Sequence, residues 1–132
     1  MNNNTSNIAM FVFVRNDLNP INKAVQAGHA CFEYIKKYSN MKSYAGEYWK
    51  NGRLIYLRVK NETELCLLYY KLINTGRNVA KFTEPDWNEP TVTAISTIGY
   101  SGVDFTEYKL LNLKTQNYFL HKIKKFLHIM LR

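Results

Sequence analysis

The chain has 132 residues and carries 18 Lys and Arg against 10 Asp and Glu, a formal net charge of +8. This length suits one domain, which can bury about two-thirds of the surface that the unfolded chain exposes. No stretch approaches the roughly 20 apolar residues of a membrane helix, and the start lacks the basic patch and apolar run of a signal peptide. We therefore expect a cytoplasmic protein with no membrane partner, and the charge favours nucleic acid as the partner.

The cysteines and histidines give no metal-binding pattern. Cys31 and Cys66 lie 35 residues apart without a CxxC pair, which predicts reduced thiols in the core. His121 and His128 are seven residues apart, about 10 Å along a helix, too far to share one ion. Because a glycine-rich phosphate loop and a Ser-His-Asp pattern are also missing from the sequence, we predict no metal and no cofactor.

The first elements are read from apolar runs and capping residues. Residues 1–7 are polar and rich in Asn, which predicts a disordered leader. Residues 8–15 form a nearly unbroken apolar run, typical of a strand buried on both faces near the middle of a sheet. Asn19 can cap a helix that has Pro20 at its first position, and we expect this helix to reach about Tyr38.

Three more strands and a second helix are predicted after a loop or short helix at 39–52. The strands are expected at 54–59, 78–82 and 92–98, with Gly99 ending the last of them. Asn61 and Glu64 form a capping-box-like start and Gly76 a stop, so the helix is expected at 62–75. Residues 84–90 are predicted to be a loop because they contain two prolines. The alternation of strands and helices indicates an α/β domain around a four-stranded sheet.

The first helix has two distinct stripes at 100° per residue. One stripe consists of Ile21, Val25, Gly28, Phe32 and Ile35, and the opposite stripe consists of Asn22, Gln26, His29, Glu33 and Lys36. The polar stripe is typical of a solvated helix face. Glycine inside a helix costs about 1 kcal/mol relative to alanine, so Gly28 suggests close approach of a strand or a ligand beside His29.

After Gly99 the chain is expected to become helical again, with a C-terminal extension at 114–132. Phe119, Ile123, Phe126 and Met130 recur at 4-3-4 spacing among basic side chains, which predicts a basic amphipathic helix. Such a helix can dock on the body of the domain or pair with a second copy of the chain as a homodimer. Membrane association is disfavoured because the apolar stripe is narrow.

One segment and the order of the elements resemble a known family. Residues 22–34 (NKAVQAGHACFEY), which follow a strand, resemble the first helix of type 2 peptidyl-tRNA hydrolases. The later order also matches: strand LIYLRV, helix ETELCLLYYKLINTG, strand NVAKF, then EPD and a strand ending TAISTIG. The resemblance covers residues 8–113 and implies a three-layer α/β/α domain with a four-stranded mixed sheet.

The resemblance also implies an activity, hydrolysis of the ester that joins a peptide or N-blocked amino acid to tRNA, without a metal. It implies His29 as general base and Asp86 as the acidic loop residue that orients it, with Lys23 and Thr93 completing the catalytic set. Such a histidine, with a pKa near 6.5, accelerates proton transfer by about 10²–10⁴-fold. The substrate-binding residues that it implies are Asn22, Gln26 and Thr91, and either Thr91 or Thr93 can supply the threonine expected after the loop. Trp87 can stack on an exposed terminal base or cover the edge of the sheet.

Two departures from the family pattern leave a second reading open. The family usually has a lysine four residues before the glutamine, a position that Asn22 occupies here, with Lys23 next to it. The loop lacks the usual glycine-arginine-threonine run and reads Asp86-Trp87-Asn88. The alternative is therefore a non-catalytic tRNA- or RNA-binding relative of the same fold. A third hypothesis is an interaction module that acts through residues 114–132.

Overall fold

The structure is a computed structural model and describes residues 7–39, 52–87, 89–113 and 130. Four strands and two helices are formed there. They are β1 (Ile8–Arg15), α1 (Pro20–Tyr38), β2 (Leu54–Val59), α2 (Glu62–Asn74), β3 (Val79–Glu84) and β4 (Thr91–Tyr100). Neither helix is long and apolar enough to cross a membrane, among the residues described. The bounds of β1 and β2 agree with the sequence prediction.

The four strands form one mixed sheet in the order β2-β1-β4-β3. β1 is parallel to β2 and antiparallel to β4, and β3 is antiparallel to β4. β1 therefore lies inside the sheet with a neighbour on each side, as its apolar run predicts. The topology also brings the ends of β1, β2 and β3 and the start of β4 to one edge, which we call the carboxyl edge.

One helix packs on each face of the sheet, which confirms the α/β prediction. The core on the α1 side consists of Ile8, Met10, Val12, Val14, Ala27, Ala30, Tyr34, Ala80, Ala94 and Ile98. The core on the α2 side consists of Ala9, Phe11, Phe13, Leu57, Val59, Leu65, Leu68, Leu72, Val79 and Ile95. Alternate residues of β1 supply both cores, because successive side chains of a strand point to opposite faces.

Two strands are longer than predicted. β3 continues beyond Phe82 to Glu84, which pairs with Thr91 of β4, so Glu84 belongs to the sheet and not to the predicted loop. β4 continues through Gly99, which pairs with Ala9. Gly99 does not end the strand; an added Cβ there would lie 2.9 Å from an Asp104 carboxylate oxygen. The glycine serves close packing within the strand.

The prediction of renewed helix after Gly99 is wrong for the described residues. Residues 101–108 form turns, and Leu110 then makes a bridge to Leu57 of β2. The Arg58 amide donates to the Lys109 carbonyl, and the Leu111 amide donates to the Tyr56 carbonyl. This segment thus continues the sheet beyond β2, because an edge strand offers unpaired backbone groups.

α1 is rotated relative to the predicted orientation. Its buried residues are Lys23, Gln26, Ala27, Ala30 and Tyr34. The apolar stripe is exposed instead: Ile21 is 76% and Phe32 61% exposed. The prediction of a solvated polar stripe is therefore wrong for Gln26, although His29 and Lys36 in the same stripe are exposed.

Small residues and one cross-layer hydrogen bond explain this orientation. Ala27 and Ala30 are fully buried, so the helix backbone lies close to the sheet. The Ser96 hydroxyl of β4 donates to the Ala30 carbonyl at 2.7 Å. Gly28 is exposed, and an added Cβ would meet nothing within 4 Å, so the predicted close approach of a strand at this glycine is wrong.

Several predictions fall outside the part of the chain that the structure describes. They are the leader at 1–7 apart from Asn7, residues 40–51, and the C-terminal extension at 114–132 with its dimerisation role, apart from Met130. Within the described residues, Cys31 and Cys66 are free and partly buried, in agreement with the prediction of reduced thiols.

Two aromatic residues of α1 test its orientation. Tyr34 is 1% exposed and Phe32 is 61% exposed. We expect Tyr34→Ala to lower the free energy of unfolding by about 3–5 kcal/mol, as for other large buried aromatics. Phe32→Ala should change it by less than about 0.5 kcal/mol. Urea denaturation of both variants measures the difference, and the opposite order would contradict the orientation of α1.

Candidate active site at the carboxyl edge

The carboxyl edge of the sheet gathers polar side chains from several elements. The loop from β1 to α1, the first two turns of α1, the end of β3 and the start of β4 all meet there. In open α/β sheets, ligands bind outside the carboxyl ends of the strands, because the loops there leave a crevice. A ligand site is therefore expected at this edge of the sheet.

A buried hydrogen-bond network joins α1 to β3 and β4. The Gln26 side-chain amide donates to a Glu84 carboxylate oxygen at 2.8 Å, and its carbonyl accepts from the Thr93 hydroxyl at 2.7 Å. Gln26 is 1%, Glu84 7% and Thr93 0% exposed. Both ends of the Gln26 amide are thus occupied, and Gln26 acts on its surroundings through these two partners.

A β-bulge directs Thr93 toward α1. Phe82 pairs with Ala94, but the next residue of β3, Thr83, pairs with Val92, which leaves Thr93 as the extra residue of β4. A bulge interrupts the regular alternation of side chains between the two faces of the sheet. Without it, Thr93 would share the face of Ile95, in the core beneath α2. The bulge therefore brings Thr93 to Gln26.

The carboxylate of Glu84 is stabilised in its ionised form. The Gln26 amide, and then the Asp86 backbone amide at 3.2 Å, donate to it and lower its pKa. The positive charge available on His29 lowers the pKa further. Hydrogen bonds to a carboxylate favour its charged form, so this position keeps a fixed negative charge at the edge.

Lys23 lies on the inner side of the first turns of α1 and is 7% exposed. Its ammonium group donates to the Asn16 side-chain carbonyl at 2.9 Å. Burial, and then repulsion by Arg58, lower the pKa of Lys23, while Asp17 opposes them. Lys23 and Gln26 are three residues apart and share one helix face, so Lys23 reaches the carboxyl edge although α1 begins before it.

His29 lies on α1, two residues after the buried Ala27, and it is exposed at the rim of this edge. Its imidazole stacks on the Phe82 ring of β3, with centroids 4.2 Å apart and planes at 9°. The stacking holds the ring over the end of β3, beside Glu84. His29 is therefore accessible to a ligand and kept in one orientation.

The loop after β3 carries the other two predicted residues. Asp86 is exposed, and its backbone amide is held by Glu84. Among the residues described, no hydrogen bond or ion pair joins the side chains of Asp86 and His29. Trp87 is partly buried in the same loop. The structure thus brings Asp86 to the same edge of the sheet as His29, without a hydrogen bond between their side chains.

Asn22 and Thr91 lie at the same edge but outside the network around Gln26. The Asn22 backbone donates to the Asn19 cap at 2.8 Å, and its side chain is partly exposed in the first turn of α1. Thr91 accepts from Arg15 at 2.8 Å. Arg15 also binds Asp17 and Glu62, so Thr91 belongs to an ion-paired group on the α2 side.

Three side chains of the site are absent from the sequence-based predictions: Glu84, Asn16 and Phe82. The EPD motif contains Glu84, but two prolines nearby suggested a loop, and a loop carboxylate is normally solvated. Asn16 appeared as an ordinary turn residue. Only the pairing of β3 with β4 shows that Glu84 points inward. In the described parts of the chain, no three His, Cys, Asp or Glu side chains are grouped as metal ligands.

A comparison with protein-family models identifies the relationship. The model described as peptidyl-tRNA hydrolase PTH2 matches residues 8–107. The chain belongs to this family. The match covers the sheet, both helices and the polar network at the carboxyl edge, and it confirms the resemblance seen in residues 22–34. The family implies peptidyl-tRNA hydrolase activity, with tRNA as part of the substrate.

The fold also has a counterpart among solved structures. A protein of unknown function, Atu0240, from Agrobacterium tumefaciens strain C58 is similar to this member of the hydrolase family with a TM-score of 0.56 and 11% sequence identity. The similarity covers 79% of this chain and 97% of the other, and at this identity it concerns the fold alone. A search of curated protein sequences gave no significant match.

The lowered pKa of Glu84 gives a test of the network in this hydrolase-family site. The folded chain favours the ionised form, so this carboxylate contributes stability above the ordinary glutamate pKa of about 4.3. The contribution is lost as the pH falls below about 4.3, through the lowered folded-state value. We expect wild type to be more stable than Glu84→Gln at pH 7, with the difference shrinking in acid.

Denaturation of both proteins between pH 3 and pH 7 measures this dependence. Glu89→Gln is the matched control, because Glu89 is exposed in the same loop and makes no hydrogen bond to the residues described. Its difference from wild type should stay small throughout. A stability difference for Glu84→Gln that grows toward low pH would contradict the network.

Proposed function

We propose that the chain hydrolyses the ester between a peptide, or an N-blocked amino acid, and tRNA, without a metal and with His29 as general base. The observation that carries the proposal is the arrangement at the carboxyl edge. An exposed imidazole, fixed on Phe82, stands beside the buried hydrogen bond from Gln26 to Glu84, and Asn16 holds Lys23 at the same edge. An ester hydrolase needs an accessible base and a nearby cation, and this edge provides both.

The proposed reaction has two steps. His29 takes a proton from a water molecule while the water oxygen attacks the ester carbonyl, which forms a tetrahedral oxyanion. The C–O bond to the ribose then breaks, and the imidazolium returns the proton to the leaving ribose oxygen. The products are a peptide carboxylic acid and a tRNA with a free hydroxyl group, so no redox change or cofactor enters the step.

Lys23 is the proposed source of positive charge for the oxyanion. Its ammonium group is desolvated and held by Asn16, so it is oriented before substrate arrives. A preorganised cation stabilises developing negative charge more strongly than a solvated one, because it needs no rearrangement during the reaction. The family's usual lysine stands one position earlier, and the geometry of the first turn supports Lys23 as its replacement.

Asp86 is the proposed orienting group for His29. Its backbone is anchored to Glu84, which keeps the loop next to the rim where His29 lies. Hydrogen bonds of a catalytic pair are often long without substrate and shorten in the complex. Glu84 itself supplies a fixed negative charge near the imidazole. Thr93 serves by holding Gln26.

Recognition of tRNA is proposed to rest on phosphate contacts, which position the RNA without reading its sequence. The net charge of +8 favours such contacts at long range. Trp87, at the tip of the loop after β3, is proposed to stack on an exposed terminal base. The proposed location is the cytoplasm, because translation supplies peptidyl-tRNA there.

The second candidate function is RNA binding without catalysis. The observation in its favour is that, among the residues described, no hydrogen bond or ion pair joins the His29 and Asp86 side chains, and that Lys23 is buried. Without such a bond in the complex, the base has no orienting group. This candidate predicts salt-sensitive RNA binding and no turnover, so the same preparation distinguishes the two functions.

Replacement of His29 is the direct test. We expect purified wild type to release the blocked amino acid from an N-blocked aminoacyl-tRNA in the presence of EDTA. His29→Ala should reduce kcat by about 10²–10⁴-fold, because loss of a general base removes that factor. Single-turnover release of the blocked amino acid measures the rate, and circular dichroism verifies that the variant is folded.

Glu33→Ala is the matched control, since Glu33 lies one turn further along the same side of α1 and forms an exposed ion pair with Lys36. It should keep wild-type activity. Full activity in folded His29→Ala would remove His29 from the mechanism. Salt-sensitive tRNA binding by an inactive wild type would favour the second candidate.

A further inference from the structure

A cavity lies at the carboxyl edge, at the end of β2 and away from His29. It has a volume of about 360 Å³. The residues that line it are Asn16, Arg58, Val59, Lys60, Glu64, Glu107, Tyr108 and Lys109. A cavity of this size accommodates a small polar group such as a nucleotide phosphate with its sugar. Asn16 belongs both to this cavity and to the site, because it binds Lys23.

Three cationic side chains line the cavity: Arg58, Lys60 and Lys109. None of them forms an ion pair or side-chain hydrogen bond with another of the residues that the structure describes. Cations on a protein surface are commonly solvated, but Arg58 is partly buried. A partly buried arginine without an ion pair among the described residues is suited to bind an anion.

The backbone places these cations together. The Arg58 amide donates to the Lys109 carbonyl at 3.0 Å, so the two residues lie side by side on adjacent extended segments. Lys60 follows Arg58 by two residues and lies directly before the Asn61 cap of α2, whose first turns border the cavity. The cluster therefore results from the extension of the sheet by residues 109–111, and not from a run of basic sequence.

Lys23 adds a fourth positive charge beside the cavity. Arg58 lies close enough to Lys23 to lower its pKa, after the larger effect of burial. Holding two cations near each other is unfavourable unless an anion offsets the repulsion. Asp17 contributes some opposing charge, but its carboxylate is bound by Arg15 at 2.8 Å. A phosphate bound here would therefore offset the repulsion between Arg58 and Lys23.

Two carboxylates also line the cavity, Glu64 and Glu107. Glu64 accepts from the Lys60 backbone amide at 2.9 Å and completes the cap of α2, so it has a structural partner. Glu107 lies in the turn before Tyr108 and is exposed. With Lys23, four cations therefore surround two carboxylates, and the balance favours a monoanion over a cation.

We propose that this cavity binds a phosphodiester group of the tRNA strand that carries the ester, with Arg58 as its main ligand. The proposal rests on the proposed function and identifies where the substrate's phosphate is held. The planar guanidinium of Arg58 can form two parallel hydrogen bonds to phosphate oxygens, which an ammonium cannot. Lys60 and Lys109 supply further charge, and Asn16 links the phosphate to the position of Lys23.

The experiment is the salt dependence of tRNA binding, measured with uncharged tRNA by fluorescence anisotropy. Each lost phosphate contact lowers the slope of log K against log salt by about 0.7–0.9. We expect Arg58→Gln and Lys109→Gln each to flatten the slope by about that amount and to weaken binding at low salt. Arg58→Lys keeps the positive charge but cannot form two parallel hydrogen bonds to the phosphate. Its salt slope should therefore be close to that of wild type, while its affinity for tRNA stays lower.

Lys36→Gln is the control, because it removes the same charge from an exposed position 13 residues beyond Lys23, about 20 Å along α1. Its slope should equal that of wild type. If wild type hydrolyses the ester and Arg58→Gln binds like Lys36→Gln, this inference is wrong and the function stands. If wild type binds without turnover and Arg58→Gln flattens the slope, the function fails and the inference stands. Absence of tRNA binding by wild type would overturn both.

Discussion

The buried hydrogen bonds from Thr93 to Gln26 and from Gln26 to Glu84 determine the rotation of α1 on the sheet. Gln26 can satisfy both ends of its amide only when this side of the helix faces β3 and β4, and an unsatisfied buried amide is costly. With that side fixed, Lys23 points toward Asn16 and His29 reaches the rim. The apolar stripe that includes Phe32 must then face outward, against the usual preference of a helix on a sheet.

Small residues between α1 and the sheet make this orientation of the helix possible. Ala27 and Ala30 fill the centre of the contact, and the Ser96 hydroxyl binds the Ala30 carbonyl across it. Of the 20 apolar residues in the two cores, seven lie in β1 and three, including Tyr34, lie in α1. The inner face of α1 combines these apolar residues with buried polar side chains of the site.

The sequence predicts the strands of this domain better than its site. β1 and β2 are predicted at their observed bounds, because strongly apolar runs between turn residues have few alternatives. The orientation of α1 is mispredicted, since periodicity assigns the apolar stripe to the core and takes no account of a polar network. Glu84 and the bulge at Thr93 depend on strand pairing between segments distant in sequence, and no local pattern encodes that pairing.

Groups of opposite charge lie at opposite sides of the carboxyl edge, because β2 and β3 are the two outer strands in the order β2-β1-β4-β3. Glu84 and Asp86 lie near His29 at the end of β3, whereas Arg58, Lys60 and Lys109 lie at the end of β2. Lys23 and Asn16 stand between the two groups. In the proposed complex, the phosphate of the tRNA strand is attracted to the cationic end and repelled from the acidic end. In this complex the tRNA strand therefore lies in one direction, with its ester toward the His29 imidazole, before the peptide makes any contact.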